Sequence, residues 1–487
     1  MSYQKKSNGI VAGIGWSFAE RILAQLVSLV IFIVLARILM PEDYGVLAIV
    51  NVFVAIGDAL VAGGFGIALV QNKNATEIDF NSICILSTIL AIIIYGILFF
   101  VAPFISHFYE MNELTLITRV LGLRLVFSAI NSIQQAYVQK YMLFSKNFMI
   151  STIGAVLSGG LGIILAIQGA GVWALVVQYS SMVILNTVLL FFVIDWIPRL
   201  ECSLRSIKSM WGYGSRVFLA TTVDTLKDNV RSLVVGKVFS SADLAFYNQG
   251  NRFPQLLVND IINSVGKVLL PVFSEQQDNR EKNKEFMRTS VRLSSFILLP
   301  LIFGLIGIAD NFILFFLTDR WISCVPYLQV LCLVYMTRSL STVFKNSLLA
   351  IGRSDVNLFH EVVTSVLTIA LIFVAAISFR SVLLVAWSYV VVAIVGTLIF
   401  SYYVIKEYSY SVSQIFRDYV PSFVLASLMA LMVYFVGTIS LYLPVKLVLQ
   451  VILGGGVYMG LASILKMREM EYLKNYIKNK VINRKSS

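Results

Sequence analysis

Apolar runs of roughly 20 residues recur along this chain from near its first residue to near its last, each long enough to cross about 30 Å of hydrocarbon at 1.5 Å per residue. No other feature constrains the fold as much. Of the 487 residues, 58% are hydrophobic and only 13% are charged, against about 25% in an ordinary soluble domain, so one buried core cannot absorb the surplus. Lipid must be the solvent for most of the chain. The runs are continuous and contain Gly and Leu without the period-2 alternation of barrel strands, which predicts an all-α polytopic membrane protein.

About fourteen transmembrane helices are predicted, over residues 14–39, 45–70, 82–106, 114–138, 148–168, 171–194, 213–238, 252–274, 291–317, 324–350, 357–378, 381–405, 421–440 and 444–466. An even number places both termini on one side. Of the Lys and Arg in the loops and terminal segments, about 23 fall on the side of the termini and about 5 (Arg37, Lys237, Arg320, Arg380, Lys446) on the other, which makes the first side cytoplasmic. The first apolar segment follows Lys5 and Lys6 but is too long for a cleavable signal and lacks a clean small-residue cleavage site, so it is expected to stay.

The net charge of +12 is then largely a cytoplasmic-face property. Its basic tail, 467–487, interleaves apolar residues with lysines and suits either a solvated end or a helix lying on anionic membrane lipid. No nucleic-acid module accompanies it, so no nucleic acid is expected as partner. The four cysteines have no metal-ligand spacing and the two histidines lie far apart, so neither a metal nor a cofactor is expected.

Sliding the chain against itself by 200 residues aligns Ala36-Arg37-Ile38 with Gly236-Lys237-Val238, Asp43 with Asp243 and Gly66 with Gly266. A slide of 210 aligns Val120-Leu121 with Val330-Leu331, Asn147 with Asn357 and Tyr179 with Tyr389. Two parallel six-helix lobes around a central cavity follow: an N-lobe over 1–194, a cytoplasmic linker over 195–212 and a C-lobe over 213–405. The helices of 406–466 stand outside the repeat as an appendix. Parallel repeats related by an axis along the membrane normal describe a rocking transporter with its path between the lobes.

About ten cations fall in or near the spans: Arg21, Arg119, Arg124, Arg216, Lys227, Arg231, Arg252, Lys267, Arg338 and Lys345. About six acids accompany them: Glu20, Asp58, Asp224, Asp228, Asp260 and Glu361. At about 2.5–3.5 kcal/mol per charge at the bilayer centre, they cannot all face lipid. Helical spacing gathers them into stripes, as in Thr221, Asp224, Lys227, Asp228 and Arg231, or in Gln255, Asn259, Asn263 and Lys267.

Two readings stand open. The charges pair with one another to fix the bundle, or their cationic excess awaits an anion such as phosphate. On the second reading the binding set is Arg21, Gln25, Arg124, Lys227, Arg231, Asn259, Asn263, Lys267, Arg338 and Lys345. Glu20, Asp58, Asp224, Asp228 and Asp260 are then candidates for coupling to a proton or sodium gradient.

The segment Ala36-Arg37-Ile38-Leu39-Met40-Pro41-Glu42-Asp43-Tyr44-Gly45 resembles the helical hinge Ala-Arg-x-Leu-x-Pro-x-Asp-Tyr/Phe-Gly of the polysaccharide flippases. These belong to the multidrug/oligosaccharidyl-lipid/polysaccharide exporter superfamily, in the branch of lipopolysaccharide, teichuronic-acid and colanic-acid exporters. The likeness extends by layout over essentially the whole chain. It implies alternating access that moves undecaprenyl-pyrophosphate-linked oligosaccharide repeats across the bacterial inner membrane for cell-surface polysaccharide, lipopolysaccharide or exopolysaccharide. It also implies a non-enzyme and a polysaccharide polymerase as partner, but carries over no individual binding residue. Within the superfamily a drug or cation antiporter would be expected to have an acid-dominated cavity, and a lipid II flippase a cationic one like this. A membrane glycan polymerase would be expected to expose a sizeable outer loop with catalytic residues, which this sequence lacks.

Overall fold

The computed structural model describes residues 23, 25–62, 64–276 and 279–471. Among them the elements are helical throughout: α1 (Gln25–Ile38), α2 (Pro41–Ala62), α3 (Phe65–Gln71), α4 (Glu77–Tyr109), α5 (Leu114–Gly122), α6 (Arg124–Lys140), α7 (Phe144–Ile167), α8 (Val172–Phe191) and α9 (Leu204–Val238). They continue with α10 (Ser241–Glu275), α11 (Arg280–Phe316), α12 (Val325–Met336), α13 (Arg338–Ala350), α14 (Ser354–Phe373), α15 (Val382–Tyr408), α16 (Val412–Gly437) and α17 (Leu443–Ile464).

Among the described residues, eleven stretches are long and apolar enough to cross a membrane, with α2–α3 and α5–α6 each forming one. The other three predicted spans fall on α1, on α9, which is long but charge-laden, and on α12–α13, which is divided at Thr337. The helix α9 starts at Leu204 rather than at residue 213, because Ser203 caps it by accepting from the Ser206 amide.

Apolar side chains point outward on a scale no water-soluble fold tolerates. Along α4, Ile89, Ile93, Ile97, Phe100, Phe104 and Phe108 form a stripe at helical spacing, each at least half exposed. Polar groups sit inside instead: Gln134 is fully buried and donates to the Thr187 carbonyl at 3.1 Å. This inversion is the signature of a multi-pass membrane protein.

The chain forms two compact units, Met1–Ala245 and Phe246–Ser487. In the first, α9 lies against α2, α3 and α4. The sequence repeat makes α9 the opening helix of the second copy, yet in space it stands with the first. The stretch before it is pinned as well. Trp196, buried, donates from Nε1 to Asn81 Oδ1 at 3.0 Å and stacks on Tyr137, while the Arg199 amide shares Asn81 Oδ1 and the Ser203 amide reaches Ser82 Oγ at 2.8 Å.

The two turns that the slide of 200 aligns carry similar caps. The Met40 amide donates to Asp43 Oδ2 at 3.0 Å where α2 begins, and the Ser240 hydroxyl donates to Asp243 Oδ2 at 2.7 Å where α10 begins. The two turns touch: a Cβ at position 45 would overlap the Ser241 carbonyl, so Gly45 is required by close approach.

In the second unit α11 is the central post. The expected appendix is docked firmly on it: α16 and α17 bury Leu425, Ala426, Met429, Val433, Tyr458 and Ala462 against Phe296 and Leu299. Gly307 lets the backbone of α16 approach at Ala430, and Tyr458 donates to the Phe296 carbonyl at 3.0 Å.

Candidate functional site

In the first unit most in-span charges are already matched. Arg124 opens α6 after a break at Leu123, and its Nη2 donates to Asp58 Oδ2 on α2 at 2.9 Å, with the two side chains 14% and 28% exposed. A residue expected to bind cargo and one expected to couple to an ion thus face each other. Arg119 donates Nε to the Phe99 carbonyl at 3.2 Å and lies 4.1 Å over that ring, which satisfies it within the α4–α5 hairpin.

On α9, Lys227 Nζ lies 3.6 Å from Asp224 Oδ1, one turn away, and Thr221 bonds back to the carbonyl of Val217. Asp228 on the same stripe is exposed, and Arg231 and Gln25 are half-buried. Gln135 bonds Asn147 at 2.9 Å, tying α6 to α7. Glu20 and Arg21 lie outside the described residues.

The second unit is arranged differently. Asn259, Asn263 and Lys267 are all exposed along one face of α10, with Asp260 half-buried beside them. On α13, Arg338 is exposed and Lys345 half-buried, two turns apart on one face. The two helices meet at Gly266, where a Cβ would sit 3.8 Å from both Thr342 and Asn346. Leu269 and Phe273 pack below against Val343, Phe344 and Leu348.

The other polar groups of α13 are committed to holding the helix in place. Ser339 bonds Ser295 of α11 at 3.1 Å, Ser341 bonds Thr397 of α15 at 2.7 Å, and the Ser347 carbonyl accepts from Tyr408. Tyr419 of α16 donates to the Met336 carbonyl at 2.9 Å, satisfying an acceptor that the break at Thr337 frees, so α16 supports the start of α13. Among the described residues, Lys267, Arg338 and Lys345 make no hydrogen bond or ion pair.

The sequence reading missed a buried ion cluster elsewhere in the second unit. Arg288 on α11 grips Asp418 on α16 through Nε at 2.7 Å and Nη2 at 3.1 Å, a bidentate pair. Arg292 lies between Asp418 at 3.8 Å and Glu469 at 3.7 Å, and the Tyr410 hydroxyl donates to Asp418 at 2.8 Å. Burial and the neighbouring carboxylate of Asp418 push the Tyr410 phenol far up, so it stays a donor. The one available signal was Asp418, a lone acid entering an apolar run, with two arginines four residues apart ahead of α11's apolar core.

A two-unit bundle of membrane-crossing helices, carrying polar stripes within its spans, defines a multi-pass membrane transporter. The chain belongs to the polysaccharide biosynthesis protein family, whose model matches residues 34–326. It is similar to the teichuronic acid biosynthesis protein TuaB of Bacillus subtilis, at 24% identity over 87% of this chain and 88% of that one. It is also similar to the lipopolysaccharide biosynthesis protein WzxC of Escherichia coli, at 24% identity over 83% and 82%. Among solved structures, the lipid II flippase MurJ in an inward closed conformation shares the fold, with a TM-score of 0.72 and 15% identity over 92% of this chain and 98% of that one. An inward-facing multidrug resistance transporter follows at a TM-score of 0.59 and 14% identity, covering 78% and 94%.

Proposed function

We propose that this protein is a flippase that moves undecaprenyl-pyrophosphate-linked oligosaccharide repeat units across the bacterial inner membrane by alternating access, for export of cell-surface polysaccharide. The observation that carries this reading is membership of the polysaccharide biosynthesis protein family on a fold shared with a lipid II flippase. The open cations of the second unit support an anionic cargo over a cationic drug, and nothing in the reading requires catalysis.

The lobes are the two copies of the repeat, 1–194 and 213–405, joined by 195–212, with 406–466 added and 467–487 as the basic tail. Both termini lie in the cytoplasm, as the Lys/Arg asymmetry supports. Glu20, Asp58, Asp224, Asp228 and Asp260 are the candidates for sensing a proton or sodium gradient, and a polysaccharide polymerase is the expected consumer of the delivered repeat.

The test is reconstitution in liposomes that hold a fluorescent polyprenyl-pyrophosphate oligosaccharide in one leaflet. Protein-dependent appearance in the other leaflet, faster with an imposed gradient, is the expected result. Expulsion of a hydrophobic cation with no movement of the lipid would replace the flippase with an antiporter.

A further inference from the structure

Where α16 begins and α17 ends, acids and cations part to opposite sides. Asp418 is buried against Arg288 and Arg292, while Arg417 beside it is exposed. Glu469 is buried against Arg292, while Lys466 and Arg468 just before it are exposed. The Arg292 guanidinium thus lies between both acids and holds the start of α16 beside the end of α17.

The turn after α17 produces this division. The Lys466 amide donates to the Ser463 carbonyl at 3.2 Å and the Met467 amide to the Ala462 carbonyl at 3.0 Å, a helix end that requires a left-handed residue at position 466. Glycine is the usual residue there, yet Lys466 occupies it at φ 48°. The reversal sends Met467 and Met470 back onto the core around Phe296 and Tyr458, and Glu469 onto Arg292. Lys466 and Arg468 are left facing out.

Among the described residues, the side chains of Arg417, Lys466 and Arg468 make no hydrogen bond or ion pair. Glu471 is exposed at the edge of the group. The adjoining surface is apolar. On α16, Pro421, Val424 and Leu428 follow Arg417 along one helical face, all exposed, and at the end of α17 Ile464 and Leu465 are 75% and 63% exposed. That face is continuous with the lipid-facing surface of the bundle, so a partner at this rim must suit both the cations and the hydrocarbon.

We infer that the rim is a binding site for an anionic glycerophospholipid of the leaflet at which α16 begins, the cytoplasmic one by the Lys/Arg asymmetry. Its phosphate lies among Arg417, Lys466 and Arg468, and its acyl chains run along Val424, Leu428 and Ile464. A zwitterionic headgroup would bring its own ammonium against the three cations. The lipid caps the outer side of an ion cluster whose inner side is Asp418, Arg292 and Glu469, and it belongs to the second unit as a resident component rather than as cargo. This goes beyond the flippase reading and does not depend on it.

The test titrates the detergent-solubilised full chain with dioleoyl phosphatidylglycerol or dioleoyl phosphatidylcholine, reading retained lipid by native mass spectrometry and the thermal midpoint by fluorescence. Wild type is expected to prefer phosphatidylglycerol and to gain thermal stability from it. A cation facing anionic lipid is worth about fivefold in affinity, so Arg417→Gln, Lys466→Gln and Arg468→Gln together should weaken binding about a hundredfold. Arg417→Gln alone, remote from the α17 turn, should weaken it about fivefold. Lipid-free midpoints should stay at the wild-type value, because no internal partner is lost, and the charge-retaining set Arg417→Lys, Lys466→Arg and Arg468→Lys should keep the site. Neutralising Lys474, Lys478 and Lys480 of the tail to glutamine should leave binding unchanged.

Equal retention of phosphatidylglycerol by wild type and the triple glutamine variant, equal retention of phosphatidylcholine by wild type, or a loss seen only on neutralising the tail would each overturn the site. So would tighter binding of a short-chain polyprenyl diphosphate at these three cations, which would assign the rim to cargo. None of these outcomes reads transport, so the flippase reading stands or falls separately.

Discussion

The first unit matches Arg124, Arg119 and Lys227 from within while Arg216 and Asp228 on α9 stay exposed, and the second leaves Lys267, Arg338 and Lys345 open. Arg124 has Asp58, Arg119 has a carbonyl and an aromatic face, and Lys227 has Asp224. In the second unit Arg288 and Arg292 are saturated by Asp418 and Glu469, yet Lys267, Arg338 and Lys345 are not. A charge in a span is therefore no evidence of a binding site on its own. Stronger evidence is a charge beside groups committed elsewhere, as Ser339 and Ser341 of α13 are.

The contrast can be broken by removing acids and sharpened by removing cations. The largest effect is expected at Asp418, where alanine would strand two arginines and a buried phenol. A loss of about 3–5 kcal/mol is expected, read as early thermal unfolding or aggregation in detergent. Asp58→Asn should cost less, about 1–3 kcal/mol, since the pair is partly exposed, and exchanging the two residues (Asp58→Arg with Arg124→Asp) should recover part of it. Equal transport by that exchanged protein would show that Arg124 serves structure only, and loss of transport at full stability would show that it serves cargo.

Lys345→Gln is expected to leave stability within about 0.5 kcal/mol, or to raise it slightly, because no native partner is lost, and to slow transport all the same. A large destabilisation there would mean that the second unit closes its charges as the first does. The smallest effect concerns the surface pair of Glu110 and Lys237, 2.9 Å apart between α4 and α9. The hydrogen bond from Lys237 holds the Glu110 carboxyl below its ordinary value of 4.5. Its contribution is therefore present above pH 4.5 and lost as pH falls below it. Lys237→Gln should flatten that part of a thermal-stability profile against pH.

Much of this architecture is legible in the sequence because lipid imposes it. Length and hydropathy locate the spans, and the carboxylates of Asp43 and Asp243 mark corresponding turns of the expected repeat. The breaks at Leu123 and Thr337 are hidden because neither contains proline, and the break at Thr337 is held by a hydroxyl from a distant helix, Tyr419. The stripes are legible as residue types at helical spacing, but their partners are not. Asp58 and Arg124 are 66 residues apart, and Arg288 and Asp418 are 130 apart, so only packing reveals which charges cancel. The docking of 406–466 on α11 is hidden for the same reason: lying outside a repeat says nothing about where a helix packs.

The clamp at Trp196 bears on how a ribosome must deliver this protein. A nascent chain ending at residue 194 would hold α1–α8, yet Asn81 and Ser82 would lack the Trp196 indole and the Ser203 amide that complete them. The stretch through α8 is thus not a finished product when its last helix enters the bilayer. It is sealed a few seconds of synthesis later, by residues encoded as a spacer, and a gene split at the apparent boundary would yield a half that cannot close.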